Sequence, residues 1–270
     1  PFAATENPEG FGQSDSTLTL AAYDEFSKGL SEYLRMTPEH VELARLHYLK
    51  ATELDPNFAR AYAGLGLTFM RGVIDGWATD TEQSIEEANR YAAIAEQIDP
   101  DIPQIYFVKG LVALFQGQHR EAADAAHRAT QIDPNYADAY GLLAWTLHLG
   151  GRPDVATEAL HEAVRLKPES SASFEVIAGE INFAKGQYEE ATACFTKALE
   201  RNPTHPRARL WLAASLAQID RIDDARWELD ELLTQNPRFS FENSASGMPQ
   251  KDPELLSRFF RALGLLRRVN

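Results

Sequence analysis

ATELDPN, residues 51–57, closes on a proline, and the same close returns as AEQIDPD (95–101), ATQIDPN (129–135), AVRLKPE (163–169), ALERNPT (198–204) and, more weakly, LLTQNPR (232–238). The prolines are Pro56, Pro100, Pro134, Pro168, Pro203 and Pro237, separated by 44, 34, 34, 35 and 34 residues. Twelve residues before each stands an alanine: Ala44, Ala88, Ala122, Ala156, Ala191 and Ala225. Five before stand Ala51, Ala95, Ala129, Ala163 and Ala198, then Leu232. The residue before a proline is pushed out of the helical region and the ring has no N–H, so each proline ends a helix. Small residues also recur earlier in each unit, at Gly66, Gly110, Ala144, Gly179 and Ala213. Short side chains let two helix axes approach to about 8 Å, so these positions mark close crossings. Tyr48, Leu160, Phe195 and Leu229, four residues after the alanine, are expected to fill the space between helices. Gly117, Gly150 with Gly151, and Gly186 mark the turns between paired helices.

A 34-residue helix-turn-helix period is the length of the tetratricopeptide repeat (TPR). The expected fold is therefore all-α: a right-handed TPR superhelix, or α-solenoid, of six helix-turn-helix repeats with a C-terminal capping helix. Residues 1–16 are expected to be a flexible lead-in, 17–237 the solenoid, and 238–270 a linker and the capping helix. Two repeats depart from the plain period. The 44-residue spacing of the second puts ten extra residues in RGVIDGWATDTEQ (71–83), with Thr79 and Glu82 available as a capping box. In the first, RMTPEHVEL (35–43) precedes a helix that Thr37 and Pro38 start.

KDPELLSRFFRALGLLRR (251–268) reads as a helix with Asp252 as N-cap, Pro253 at its first position and Gly264 as C-cap, with Leu265 packing back on Phe260. Leu256, Phe259, Phe260 and Leu263 form its apolar face. A solenoid must cover its last exposed helix, so this face is expected to pack on the sixth repeat near Leu229 and Leu233.

Composition narrows the function classes. The 270 residues hold 26 Lys and Arg against 40 Asp and Glu, a net charge of −14. Such a surface repels nucleic-acid backbones and anionic membranes. One cysteine, Cys194, allows no intramolecular disulfide and no cysteine cluster for a metal. That count fits the cytoplasm and leaves the periplasm open. No apolar run approaches the ~20 residues needed to cross a bilayer. The chain opens on Pro1 instead of a methionine and is expected to be a fragment or a cleavage product.

The chain also resembles the TPR region at the C-terminus of many bacterial class III adenylate and guanylate cyclases, found too behind winged-helix transcription regulators. AAYDEFSKGL (21–30), ELDPNFARAYAGLGL (53–67), DGWATDTEQSIEEA (75–88) and KDPELLSRFFRALGL (251–265) carry the likeness. Nothing in the chain resembles a cyclase catalytic domain. The resemblance implies an accessory, sensory or scaffolding module serving an effector, alternatively the regulatory end of a multidomain cyclase or transcription regulator.

Catalytic and metal-binding patterns are missing. The seven histidines form no H-x-x-x-H pair and none pairs with Cys194 in sequence, so no catalytic residue, metal or cofactor is assigned. AGLGL (63–67) lies in helical register, so it is a tight crossing and not a phosphate loop. Stacked repeats instead bind partners along the first helices of each pair. Counting from the small mid-helix residue, the expected partner groove comprises Phe26, Leu30 and Tyr33 (with Gly29 as the crossing residue), then Leu67, Met70 and Arg71. It continues through Phe107, Leu111, Leu114 and Phe115 to Trp145, His148, Glu180 and Phe183. This wall lacks the Lys and Asn of a carboxylate clamp, so the expected partner is a protein or peptide segment with an apolar face. That segment belongs to another protein, to another domain of the full-length chain or to this chain's own terminus. The competing reading is that these side chains pack against neighbouring helices. Trp77, in the ten-residue insertion, is a second candidate surface or an anchor for its loop.

Overall fold

The first five proline-closed motifs each end a helix, and the helices pair as the period requires. The computed structural model describes residues 12–168, 172–235 and 252–267. Thirteen helices and no strand occur among the described residues. The pairs are α1 (Gly12–Tyr33) with α2 (Pro38–Leu54), α3 (Ala59–Ile74) with α4 (Thr81–Ile98), α5 (Pro103–Phe115) with α6 (His119–Ile132) and α7 (Ala137–Leu149) with α8 (Pro153–Leu166). They continue as α9 (Ala172–Ala184) with α10 (Tyr188–Arg201) and α11 (Pro206–Gln218) with α12 (Ile222–Gln235), followed by the single helix α13 (Pro253–Arg267). α1 begins at Gly12, within the stretch expected to be the lead-in. Residues 1–11 and the 236–251 connection lie outside the described residues.

The chain divides into two compact units, Pro1–Val73 with Trp77–Val108, and Ile74–Gly76 with Lys109–Asn270. In both, the repeated small residues are the crossing points. All six alanines twelve residues before the prolines are fully buried, as are the five alanines and Leu232 five residues before them. In the first unit a β-carbon on Gly29 would stand 3.2 Å from the Ala44 carbonyl oxygen, and one on Gly66 equally close to that of Ala88. In the second, a β-carbon on Gly110 would stand 3.3 Å from the Ala122 carbonyl oxygen. Gly29 is thus the crossing residue of the first repeat. Tyr48, Leu160, Phe195 and Leu229 are buried, as their spacing requires.

The ten extra residues of the second repeat are not a loop. α3 has 16 residues where α5, α7, α9 and α11 have 13, and α4 has 18 where α6, α8, α10 and α12 have 14. The connection 75–80 is six residues long where the later ones are three, so the insertion mostly lengthens helices. The cap of α4 is Asp80, whose side chain accepts the Gln83 N–H at 2.9 Å, and not the expected Thr79. Thr37 caps α2 as expected, with Pro38 at its first position.

The three-residue turns share one conformation. Gly117, Gly151 and Gly186 take φ near +75°, and Asp220 takes +60° at the equivalent place in the sixth repeat. In each, the next residue donates to a carbonyl five residues back: Gln118 to Ala113, Arg152 to Leu147, Gln187 to Asn182 and Arg221 to Leu216. The left-handed residue lets those carbonyls be satisfied after the helix ends, which favours glycine. At the junctions between repeats the residue before the proline does more than stop the helix. Asp55, Asp99, Asp133 and Asn202 each accept the N–H two residues on with their side chains, closing the turn into the next pair.

Candidate partner surfaces

In the N-terminal unit the first helix carries its exposed apolar side chains in one stripe. Leu20, Tyr23, Leu30 and Leu34 are 69%, 55%, 43% and 63% exposed. With 3.6 residues per turn, Leu20, Tyr23 and Leu30 fall within about 80° of one another around α1, with Ser27 among them, and Leu34 just past its end keeps the register by donating its N–H to the Leu30 carbonyl at 3.1 Å. The opposite side of α1 faces α2. There Glu25 bonds His47 Nδ1 at 2.7 Å and Glu32 bonds His40 Nδ1 at 2.6 Å, two pairs that tie the helices together. Asp24 and Lys28 pair along the polar flank of the stripe at 2.7 Å. Of the sequence-derived groove residues in this unit, Leu30 is exposed and Phe26, Tyr33, Leu67, Arg71 and Phe107 are half-buried. Phe26 is engaged by Tyr48 and Phe58, ring centroids 5.6 and 5.1 Å away, and the Arg71 guanidinium stands 5.8 Å from the Tyr33 ring. Met70 is fully buried and belongs to the interior. Leu20, Tyr23 and Leu34 escaped sequence reasoning because no earlier repeat fixes the register of α1; their i, i+3, i+14 spacing was the available signal.

The C-terminal unit treats the same positions differently. Leu111, Leu114, Trp145, His148, Glu180 and Phe183 are all buried and Phe115 is half-buried, its ring 6.0 Å from Trp145. The side chain one turn past the crossing residue is turned into the helix interface, which is why Leu114 and Phe183 are wholly covered. Glu180 accepts two hydrogen bonds from Arg207 at 2.5 Å, and that guanidinium lies 3.9 Å over the Trp145 ring. His148 sits in the same neighbourhood; burial first, then the positive charge of Arg207, holds its imidazole down to about 4, while Asp252 opposes and Lys185 assists.

The helix α13 covers part of this face. Asp252 caps it, accepting the Glu254 N–H at 2.9 Å, and Pro253 takes the first position. Its buried face is Leu255, Phe259, Ala262 and Leu263, a rotation from the expected Leu256, Phe259, Phe260 and Leu263; Phe260 is 38% exposed. The Phe259 ring stands 4.3 Å from Trp211 and 6.4 Å from Phe183. The helix runs on past Gly264 to Arg267, so Gly264 is no C-cap, its φ being negative and the following Leu, Leu and Arg all good helix formers. The Leu265 side chain lies outside those described.

Chemistry is sparse throughout. No group of three His, Cys, Asp or Glu able to hold a metal occurs among the described residues. Cys194 is half-buried, accepts a bond from Asn182 Nδ2 at 3.6 Å, and burial pushes its thiol up, away from a reactive thiolate. Trp77 is half-buried, and its backbone N–H closes the α3 end by donating to the Gly72 carbonyl at 2.8 Å. No described helix is long and apolar enough to cross a membrane.

Residues 113–177 and 182–240 match the family model of the tetratricopeptide repeat. Among solved structures, the chain is similar to TTC0263, a TPR protein of Thermus thermophilus, at 20% identity and TM-score 0.57 over 73% of this chain and 99% of that one. It is similar to pilF of Pseudomonas aeruginosa at 19% identity and TM-score 0.55, over 83% and 95% of the two chains. PilW, described as a type IV pilus biogenesis factor, aligns at 18% identity and TM-score 0.56 over 76% and 86%. No curated protein matches the chain. The fold is an all-α arrangement of tetratricopeptide repeats.

Proposed function

We propose that the chain is a non-catalytic scaffold that holds an apolar segment of a partner protein along the first helices of its repeats, with α1 as the principal surface in the N-terminal unit. The observation that carries this reading is the stripe of Leu20, Tyr23, Leu30 and Leu34. Four large apolar side chains aligned along one helix and the turn that follows it, and left in water, are a cost unless something covers them, each being worth about 1.5–3 kcal/mol on full burial. Half-buried Leu67 and Phe107 continue the list of apolar candidates in the same unit, and Arg71 adds a cation. An amphipathic helix or an extended apolar peptide suits such a surface, because tetratricopeptide repeats generally bind proteins or peptides through it.

The same surface suits a separate protein or an effector domain joined to this chain. Capture of cellular proteins by the wild-type chain and by a Leu20→Glu, Leu34→Glu double variant tests the reading. Leu20 sits on an exposed position of α1 and Leu34 in the exposed turn just after it, so helicity is expected to stay intact while the specific capture disappears. Equal capture by the two chains removes α1 as the partner surface.

A further inference from the structure

The C-terminal helix leaves uncovered what an end cap would cover. Trp227 and Leu233 on α12, the last helix of the repeats, remain 60% and 40% exposed, while α13 rests mainly on α11 and touches α12 more lightly. It fills the side formed by the first helices α9 and α11, the side that holds partner segments under the function proposed above. Directional contacts fix it there. Arg258 donates to the Ala184 carbonyl at 3.1 Å and to the Tyr188 hydroxyl at 3.3 Å, and Gln218 Nε2 donates to the Arg258 carbonyl at 3.2 Å. Ala184 is the last residue of α9, so the guanidinium meets the negative end of that helix.

We propose that the α9–α11 face is a binding site for an amphipathic helix carrying an arginine beside an aromatic residue, and that α13 is its occupant in cis. The occupant displays the required pattern: Leu255, Phe259, Ala262 and Leu263 at i, i+4, i+7 and i+8 enter the apolar face, and Arg258 at i+3 reads the end of α9. A partner helix with the same pattern competes for the site. Sixteen residues, 236–251, tether α13. Because α13 belongs to the same chain, its seating on this face is intramolecular, so a separate partner helix finds the site filled until α13 is weakened or outcompeted. The proposal rests on the idea that first helices hold partners, yet it concerns residues distinct from the α1 stripe, so each can fail alone.

The test uses a fluorescent peptide of residues 252–267 and the full chain, with anisotropy as the readout and circular dichroism as the check on folding. In Phe259→Glu a charge replaces the ring beside Trp211, which frees the site. The peptide is expected to bind this variant one to one, at least ~100-fold more tightly than it binds the wild type, whose site is filled. An Arg258→Ala peptide is expected to bind about tenfold more weakly, having lost its charge-assisted bonds. Arg258→Ala in the full chain keeps the apolar face and is expected to admit the peptide to an intermediate degree, whereas Leu20→Glu, Leu34→Glu behaves as wild type. Three results would overturn the proposal: no saturable binding to a folded Phe259→Glu chain, equal binding to wild type and variant, or collapse of the repeats themselves in that variant, which would make α13 a piece of their core.

Discussion

His148 shows how a single residue couples this fold to pH. It is buried, and neither ring nitrogen has a hydrogen-bond partner among the described residues. Its pKa in the fold is about 4, against 6.5 for an unperturbed histidine, so between those values the unfolded chain takes up a proton that the native chain refuses. Stability contributed by this residue is therefore intact above about pH 6.5 and is lost as pH falls to about 4, by about 3 kcal/mol in total. Urea midpoints at pH 7, 5 and 4 are expected to fall more steeply for the wild type than for His148→Leu, which carries no proton to refuse. A second single-residue prediction follows from the turns. Asp220 stands where three other repeats use a left-handed glycine. Asp220→Gly is expected to raise stability by about 0.5–1 kcal/mol, and Gly151→Ala to lower it by about 1 kcal/mol, both readable as shifts in melting temperature.

Helix ends and crossings set the element scale. Asp80, not its neighbour Thr79, accepts the N–H of Gln83, so Asp80→Ala is expected to cost about 1 kcal/mol and Thr79→Ala close to nothing in thermal melts. At the α9–α10 crossing a β-carbon on Gly179 would stand 2.5 Å from the ring of Phe195, itself fully buried. Gly179→Ala is expected to destabilise by about 1–3 kcal/mol through overpacking, an effect that Phe195→Leu in the same chain partly relieves. These elements also show what a single sequence discloses. The crossings were legible because a residue squeezed between two backbones must be small in every repeat, and six copies of one register expose it. The cap of α4 was not, since Thr79 and Asp80 are both competent and differ by one position. The buried side of α13 was hidden for a similar reason: Leu255 and Leu256, and Phe259 and Phe260, put apolar residues on two faces, and only the shape of α11 chooses between them.

At the scale of the molecule, 40 acidic side chains against 26 basic ones make self-repulsion a general term. Raising sodium chloride from about 20 to 500 mM shortens the screening length severalfold and is expected to raise the melting temperature by a few degrees. A fall would mean that ion pairs such as Glu180–Arg207 outweigh the repulsion. The repeat architecture itself was legible in the proline and alanine spacings, whereas the openness of the candidate partner surfaces was not. Sequence places Trp145 and Leu30 at the same position, one residue after the crossing residue, yet one is buried and the other exposed, because the first is covered by the Arg207 guanidinium and the Phe115 ring.

The uneven burial of the tryptophans gives the chain built-in optical probes. Trp227 stands 60% exposed, whereas Trp211 is buried against Phe259 and Trp145 is buried under the Arg207 guanidinium. Emission is then a superposition: a red, iodide-quenchable component from Trp227, an intermediate one from half-buried Trp77, and a blue, protected one from Trp211 and Trp145. Departure of α13 would wet Trp211 alone, so a growing quenchable fraction at constant helicity reports the movement of that single helix without any label.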